Sequence, residues 1–194
     1  MENLSDEKLI ESYFKGDEKS LEILIRRYLK PIYNFIFSFV GGREEAEDIT
    51  QEAFVKMWRH LKKFNSNKSF KTWLFQIAKN TAIDWLRKKK AIPISQFDNE
   101  EGENVIMETL TDPEPLPSKI LEQKDLAEEL AQAMEELSAK NRLVLSLYYN
   151  DHFTLQEIAE VLEEPLNTIK SRHRRALIML RKILADKIED IDIK

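Results

Sequence analysis

The chain changes character within residues 46–90, AEDITQEAFVKMWRHLKKFNSNKSFKTWLFQIAKNTAIDWLRKKK, which begin acidic and end basic. Residues 43–52 hold five acids and one arginine, whereas residues 56–90 hold eleven Lys or Arg and one acid. The basic part also contains six large rings, at Trp58, Phe64, Phe70, Trp73, Phe75 and Trp85. A solvated charge run needs no rings, so this mixture indicates a surface for phosphates and stacked bases. Rings at helical spacing are equally suited to a buried core, and both interpretations stand at this point.

Composition predicts a soluble, mostly helical chain that forms one domain or two small ones. The 194 residues are 42% hydrophobic and 34% charged, and only four are Gly; that balance is typical of helical proteins with compact cores. There is no Cys, which excludes disulfides and thiolate chemistry and fits a cytoplasmic setting. We expect no signal peptide and no stable membrane insertion, because the N-terminus is acidic and the longest apolar run is Phe35 to Val40.

Residues 1–90 are predicted to form an N-terminal helical bundle. Ser5 is a candidate cap for a first helix, and the second carries a core-facing apolar stripe that ends at Gly41-Gly42. Pro31 lies inside that stripe, so we expect a kink or a break near Leu29.

The third and fourth helices of this bundle are each predicted to have one polar face. On the third helix the polar residues are Glu45, Asp48, Gln51, Glu52 and Arg59. The polar loop FNSNKS, residues 64–69, follows, and the fourth helix then presents a strip rich in hydrogen-bond donors. The strip contains Lys71, Gln76, Lys79, Asn80, Asp84 and Arg87. Such a strip suits phosphates and base edges, although a merely solvated face has the same composition.

Residues 91–120 interrupt the helical pattern, and residues 121–194 restart it. Residues 98–125 contain nine acids and two lysines, and the prolines at 93, 113, 115 and 117 break the periodicity, which together predict an acidic linker between two domains. The linker could be disordered, or it could form an extended anionic strand that threads a basic channel. The fold class expected from these patterns is all-α, with two small helical domains joined by an acidic, Pro-containing linker.

A helix-turn-helix is predicted in the second domain. Thr154 and Glu157 form a capping box that opens a short helix, Leu155 to Leu162, and residues 163–165 make a turn before a long helix. The exposed positions predicted at the start of the long helix are Asn167, Lys170, Ser171, Arg174 and Arg175. A basic helix of this kind fits the major groove of duplex DNA, although basic helical hairpins also occur in proteins that never contact DNA.

Taken together, these pieces resemble the extracytoplasmic-function (ECF) subfamily of bacterial RNA polymerase sigma factors over nearly the whole chain. The resemblance rests on AEDITQEAF (residues 46–54), on LxEIAEVL (155–162) and on PLNTIKSRHRRA (165–176). It also rests on a spaced set around the loop, namely Phe64, Phe70, Thr72, Trp73, Leu74, Ile77, Ala78, Asn80, Asp84 and Arg87.

The resemblance implies roles for three sets of residues. Glu45, Asp48, Gln51 and Glu52 would bind core RNA polymerase at its clamp helices. Phe64, Asn65, Ser66, Asn67, Lys68, Ser69, Phe70, Trp73, Lys79, Asn80 and Arg87 would engage and melt the minus-ten element. Leu166, Asn167, Thr168, Lys170, Ser171, Arg174 and Arg175 would read the minus-thirty-five element as duplex.

The same resemblance implies partners for the chain. They are core RNA polymerase, at its clamp and flap regions, and promoter DNA in double-stranded and melted form. An anti-sigma protein is a further expected partner. The chain would be cytoplasmic, and nucleoid-associated when bound to polymerase.

Two residues depart from the family pattern, and the histidines give no metal site. His173 stands where the family usually carries an apolar residue, and Asn167 where a small one is frequent. We interpret His173 as a partly buried ring packed against the helix pair, with a phosphate contact or a pH-sensitive role as the alternative. His60 and His152 are isolated, so we expect no metal.

The main alternative function is a stand-alone helix-turn-helix regulator whose first domain oligomerises or senses a ligand. An enzyme is disfavoured because the sequence lacks a Cys nucleophile, a phosphate-cradling glycine loop and a clustered acid-base pair. For the same reason no cofactor is expected. A regulator that binds only duplex DNA has no need of base-capturing rings, which favours the sigma-factor interpretation.

Overall fold

A computed structural model describes residues 4–90 and 124–192, and side chains within 4–89 and 129–185. Over these residues the chain is all-helical, as predicted. The helices are α1 (Asp6–Phe14), α2 (Glu18–Val40), α3 (Arg43–His60), a 3-10 turn (Leu61–Lys63), α4 (Phe70–Lys90), α5 (Lys124–Glu136), α6 (Ala139–Tyr149), α7 (Leu155–Leu162) and α8 (Leu166–Asp192). The predicted linker, 91–120, lies outside the described residues.

The chain divides into two compact units, the first built around α1 to α4 and the second around α5, α6 and α8. The predicted domain boundaries, 1–90 and 121–194, remain predictions. None of the described helices is both long enough and apolar enough to cross a lipid bilayer.

In the first unit, local signals set the helix ends and periodic apolar residues form the core. The Ser5 hydroxyl accepts a hydrogen bond from the Lys8 amide, so the predicted cap of α1 is confirmed. Gly41 ends α2 with a φ of 72°, a left-handed conformation that a residue with a Cβ atom adopts only with strain. The predicted core face of α3 is buried throughout: Ala46, Ile49, Ala53, Phe54 and Met57, with Leu61 just beyond.

Of the predicted kink or break in α2, the break is wrong, because the helix is continuous from Glu18 to Val40 with Pro31 inside it, whereas the kink stays a prediction. Proline removes one backbone donor, which costs an isolated helix roughly 3 kcal/mol. Burial on the far side of the proline offsets that cost, since Ile32, Phe35 and Ile36 are all buried. Tertiary packing therefore carries the helix through a residue that ends helices in isolation.

The second unit is held by a small apolar cluster and by two side-chain caps. The buried cluster joins α5, α6 and α8 through Ala133, Leu137, Leu145, Ala176, Leu177 and Leu180. Ser138 caps α6 by accepting from the Asn141 amide at 3.4 Å. The capping box before α7 is confirmed: the Thr154 amide donates to Glu157 Oε2 at 2.8 Å, and the Glu157 amide donates to Thr154 Oγ1 at 3.2 Å.

Candidate polymerase and nucleic-acid interface

The exposed face of α3 carries the acids predicted to bind polymerase. Asp48, Gln51 and Glu52 are exposed, and Glu52 forms an ion pair with Lys56 at 2.9 Å, one turn further along. Glu45 is only partly exposed, because its carboxylate accepts a hydrogen bond from Lys89 Nζ of α4 at 2.5 Å. That hydrogen bond lowers the pKa of Glu45. Asp48, Gln51 and Glu52 thus project into solvent, whereas Glu45 also ties α3 to α4.

The same face continues into apolar residues that the sequence analysis did not single out as part of it. Val55 and Trp58 are 43% and 53% exposed and lie one and two turns beyond Gln51. The Trp58 indole N–H donates to the Tyr13 hydroxyl of α1 at 2.9 Å, which orients the ring. Asp48, Gln51, Val55 and Trp58 follow one another at steps of three or four residues. This spacing indicates in the sequence that they share one face of α3. Acids beside an exposed aromatic are typical of protein-binding surfaces, whose apolar anchors lie within a polar rim.

The loop between α3 and α4 is exposed and is shaped by its own side chains. Asn65 Oδ1 accepts from the Asn67 amide at 3.0 Å, and the Asn65 carbonyl accepts from the Lys68 amide at 2.9 Å. Ser69 then caps α4, since its hydroxyl accepts from the Thr72 amide at 3.2 Å. The loop residues predicted to contact DNA, Asn65, Ser66, Asn67, Lys68 and Ser69, are all exposed. Local hydrogen bonds therefore fix the loop while its surface stays open.

Three rings pack together at the base of this loop. The ring centroids of Phe64 and Trp73 are 5.1 Å apart, and Phe70 lies 5.5 Å from Phe64 and 5.8 Å from Trp73. Phe64 and Trp73 are half-buried, so each has part of its ring available to a ligand. Phe70 is 1% exposed and belongs to the core. In this structure its predicted role in DNA contact can only be indirect, because the ring has no free surface on which a base could stack.

Helix α4 presents part of the predicted donor strip. Asn80 and Arg87 are exposed, and Arg87 lies 3.8 Å from Asp84. The predicted contact of Lys79 with the DNA backbone stays a prediction. At the end of the helix the Lys89 ammonium lies 4.6 Å from the centre of the half-buried Trp85 ring, at cation–π distance.

The first turns of α8 carry the residues predicted to read duplex DNA. Asn167, Lys170, Ser171 and Arg175 are exposed. Leu166, Thr168 and Arg174 are partly buried. The Ser171 hydroxyl donates to the Asn167 carbonyl at 2.8 Å, so part of its hydrogen-bonding capacity is used within the helix.

An ion pair that the sequence analysis missed connects α8 to the preceding turn. Arg172 Nη2 lies 2.8 Å from Glu164 Oε2, and both side chains are largely buried. Glu163, beside it in the turn, has a φ of 57°. A left-handed residue without glycine costs conformational energy, and the ion pair offsets part of that cost. The eight-residue separation between Glu164 and Arg172 gives no periodic signal, which explains why the pair was missed.

His173 packs as the sequence analysis predicted. Its ring lies 4.7 Å from the Tyr148 ring and 6.0 Å from the Tyr149 ring, at the end of α6. Nε2 is buried and has no hydrogen-bond partner among the described residues. Burial lowers the pKa of His173, so the neutral ring is favoured. Within the described residues, no three metal-ligating side chains come together.

Comparisons with known proteins identify the family of this chain. Residues 24–92 match the family model for sigma-70 region 2, and residues 133–182 match the model for sigma-70 region 4. Among curated relatives, the ECF RNA polymerase sigma factor SigW of Bacillus subtilis is 36% identical over 183 residues, which cover 92% of this chain and 96% of that protein. The ECF RNA polymerase sigma-E factor of Escherichia coli is 29% identical over 191 residues, covering 98% and 97% of the two chains.

Solved structures support the same fold. CnrH, solved in complex with the cytosolic domain of CnrY, matches 93% of this chain with a TM-score of 0.60 at 22% identity, and 97% of that chain is covered. RpoE from Bartonella quintana, solved in complex with the anti-sigma factor NepR, matches 86% of this chain with a TM-score of 0.59 at 24% identity, and 98% of that chain is covered. The two family models and the extent of the match to SigW establish that this chain belongs to the ECF RNA polymerase sigma factors, which direct polymerase to promoters.

Proposed function

We propose that this sigma factor divides its task among three surfaces of the described structure. The acidic face of α3, through Asp48, Gln51 and Glu52, docks on core RNA polymerase. The loop of residues 64–69 and the rings beside it hold an unstacked base of the minus-ten element. The first turns of α8 read the minus-thirty-five element as duplex. The observation that carries this proposal is the half-buried pair Phe64 and Trp73, at the mouth of an exposed polar loop on a basic helix.

Energetics support the assignment of the loop to melted DNA. Unstacking a base costs a few kcal/mol, and stacking it on an aromatic side chain returns about 1–3 kcal/mol. Backbone contacts from neighbouring basic groups, such as the exposed Lys68 and Arg87, can supply the rest. The exchange needs no hydrolysable cofactor, so we propose a non-catalytic factor that works without one.

Docking through α3 fits the physics of charged interfaces. Exposed carboxylates steer a basic partner and fix its register, while a buried anchor supplies most of the affinity. Acidic groups on α3 and basic groups on α4 also let a chain with a net charge of −5 bind both a basic protein surface and DNA.

Regulation by an anti-sigma protein is proposed on likeness alone. The Bartonella quintana sigma factor was solved bound to the anti-sigma factor NepR. We extend that kind of partner to this chain, together with a cytoplasmic location and nucleoid association when the chain is bound to polymerase.

The direct test is start-site-mapped transcription from a library of genomic fragments, using purified core bacterial RNA polymerase with and without this protein. We expect new start sites that share two upstream elements at a fixed spacing. If no new starts occur and the protein alone binds duplex DNA tightly, the chain acts as a stand-alone helix-turn-helix regulator and the proposal fails.

A further inference from the structure

Behind the loop, a chain of contacts runs from the rings to the first helix of the protein. The ring of Tyr28 on α2 lies 5.7 Å from Phe70 in an edge-on arrangement, and Tyr28 is 7% exposed. The Tyr28 hydroxyl donates to Asp6 Oδ2 in the first turn of α1. Arg27 donates to the other oxygen of the same carboxylate at 2.5 Å. Neither α1 nor this part of α2 belongs to any of the three proposed surfaces.

Each link in this chain restricts the next one. Asp6 accepts two hydrogen bonds from α2, one of them from a cation, and such charge-assisted bonds are strong and directional. The held tyrosine presents its ring edge to Phe70, a favourable arrangement for aromatic pairs. Phe70 in turn contacts both Phe64 and Trp73, the two rings with free surface. A packed interior transmits such restrictions because it has few voids to absorb them.

We propose that Tyr28, held by Asp6, is a positioning residue for promoter opening: it sets Phe70 and thereby the angle at which Phe64 and Trp73 receive a base. The inference rests on the proposed function of the loop. Under this proposal, α1 contributes to promoter melting through Asp6, a contribution that the motifs around the loop do not indicate. Tyr28 itself does not contact DNA in this proposal, since Phe70 lies between it and the half-buried rings of Phe64 and Trp73.

Two substitutions of Tyr28 should slow promoter opening to different extents. Tyr28→Phe removes the hydroxyl and keeps the ring, so the ring loses its tie to Asp6 but still packs on Phe70. Tyr28→Leu also removes the ring edge. At saturating holoenzyme we expect promoter opening to slow by about threefold for Tyr28→Phe and about tenfold for Tyr28→Leu, the loss that roughly one weak contact each would cause. Tyr33→Phe is the matched control, because Tyr33 lies on the same helix and stacks on Phe37, away from the cluster.

The experiment follows permanganate reactivity of thymines on a promoter mapped with the wild-type protein, and repeats transcription on the same promoter with its minus-ten region already mismatched. We expect wild-type binding to core polymerase for each variant and a smaller defect on the premelted template. A variant that was merely less folded would lose activity equally on both templates. If Tyr28→Leu does not fold, Tyr28→Phe carries the test.

The outcomes separate the inference from the function on which it rests. If the wild-type protein opens promoters and Tyr28→Phe opens them at the same rate, the positioning role is overturned while the proposed function stands. Equal loss on duplex and premelted templates also overturns it. If the wild-type protein with core polymerase opens no promoter, the proposed function itself fails.

Discussion

The loop before α4 presents half-buried rings, whereas the start of α8 presents short polar and basic side chains. At the loop, Phe64 and Trp73 pack against each other and against the buried ring of Phe70. In the second unit the rings are used differently: Tyr148 and Tyr149 pack on His173 and join α6 to α8. The difference is the one expected if, as proposed, the loop replaces stacking in a melted strand and α8 reads intact base pairs.

The two surfaces are also fixed in different ways. Hydrogen bonds made by Asn65 and Ser69 shape the loop locally, and the rings add contacts from α2. In the second unit, the capping box at Thr154 fixes the start of α7, and the largely buried pair of Arg172 with Glu164 ties α8 to the preceding turn. The loop therefore depends on local hydrogen bonds together with packing across helices, whereas the turn before α8 depends on polar contacts close in sequence.

The largest effect is expected from substitutions on α3, because a sigma factor that does not bind core polymerase can neither melt nor read a promoter as part of holoenzyme. Asp48→Arg combined with Gln51→Arg should weaken binding to core polymerase at least about a hundredfold, because reversing a carboxylate at a charged interface costs several kcal/mol. Co-migration with purified core enzyme measures this. Glu18→Arg with Asn34→Arg on α2 is a control with the same change in net charge. Undiminished co-migration of the α3 variant would show that this face does not dock.

The second largest effect is expected for promoter opening alone, from a substitution beside the loop. Trp73→Ala should slow promoter opening by about tenfold to a hundredfold, the loss of one stacked base, while binding to the closed promoter is kept. Permanganate footprinting over time gives the opening rate. Trp73→Phe keeps a ring and should restore most of it, provided that both variants melt at similar temperatures. A loss of closed-promoter binding as large as the loss of opening would contradict this assignment.

A smaller effect is expected for duplex binding, from a substitution in the first turns of α8. Lys170→Ala should weaken binding to all promoter sequences alike and reduce the slope of log K against log salt by about one, since one phosphate contact is lost. Lys182→Ala serves as control, because it is exposed on the same helix about 18 Å further along. Filter binding of holoenzyme between low and moderate salt measures the slope, and an unchanged slope would exclude Lys170 from the phosphate contacts.

The smallest effect concerns the rings of the second unit. Burial lowers the pKa of His173 below about 6.5, so the unfolded chain binds protons more readily than the folded one. The contribution of His173 to stability is therefore present above pH 6.5 and is lost as the pH falls below it. Urea denaturation between pH 5 and 8 should show a stronger pH dependence for the wild type than for His173→Phe. Equal pH dependence would mean that the histidine is not desolvated.

Much of this architecture follows from short-range patterns. Helix caps at Ser5 and Thr154 and the buried face of α3 were predicted correctly because their partners lie within one or two turns. The continuity of α2 through Pro31 was not, because long-range burial decides it. The residues proposed for the two DNA surfaces come from motifs, and their contacts with DNA remain predictions.

Contacts between distant parts of the chain escaped the sequence analysis for a common reason. Lys89 meets Glu45 and Tyr28 meets Asp6 only after the helices have packed, and no spacing in the sequence encodes either meeting. Phe70 shows the same limit, since a ring at the edge of a polar loop can face solvent or the core. Only the packed structure shows that Phe70 supports the neighbouring rings from inside.

The most direct test of the proposed separation between melting and duplex reading uses two DNA probes taken from one mapped promoter. It measures the affinity of each probe for holoenzyme that contains the wild-type protein, Trp73→Ala or Lys170→Ala. The first probe carries a premelted minus-ten region without the upstream element, and the second is duplex with the upstream element alone. We expect Trp73→Ala to lose affinity only for the melted probe and Lys170→Ala to lose more for the duplex probe. If each variant weakens both probes equally, the separation of melting from duplex reading is contradicted.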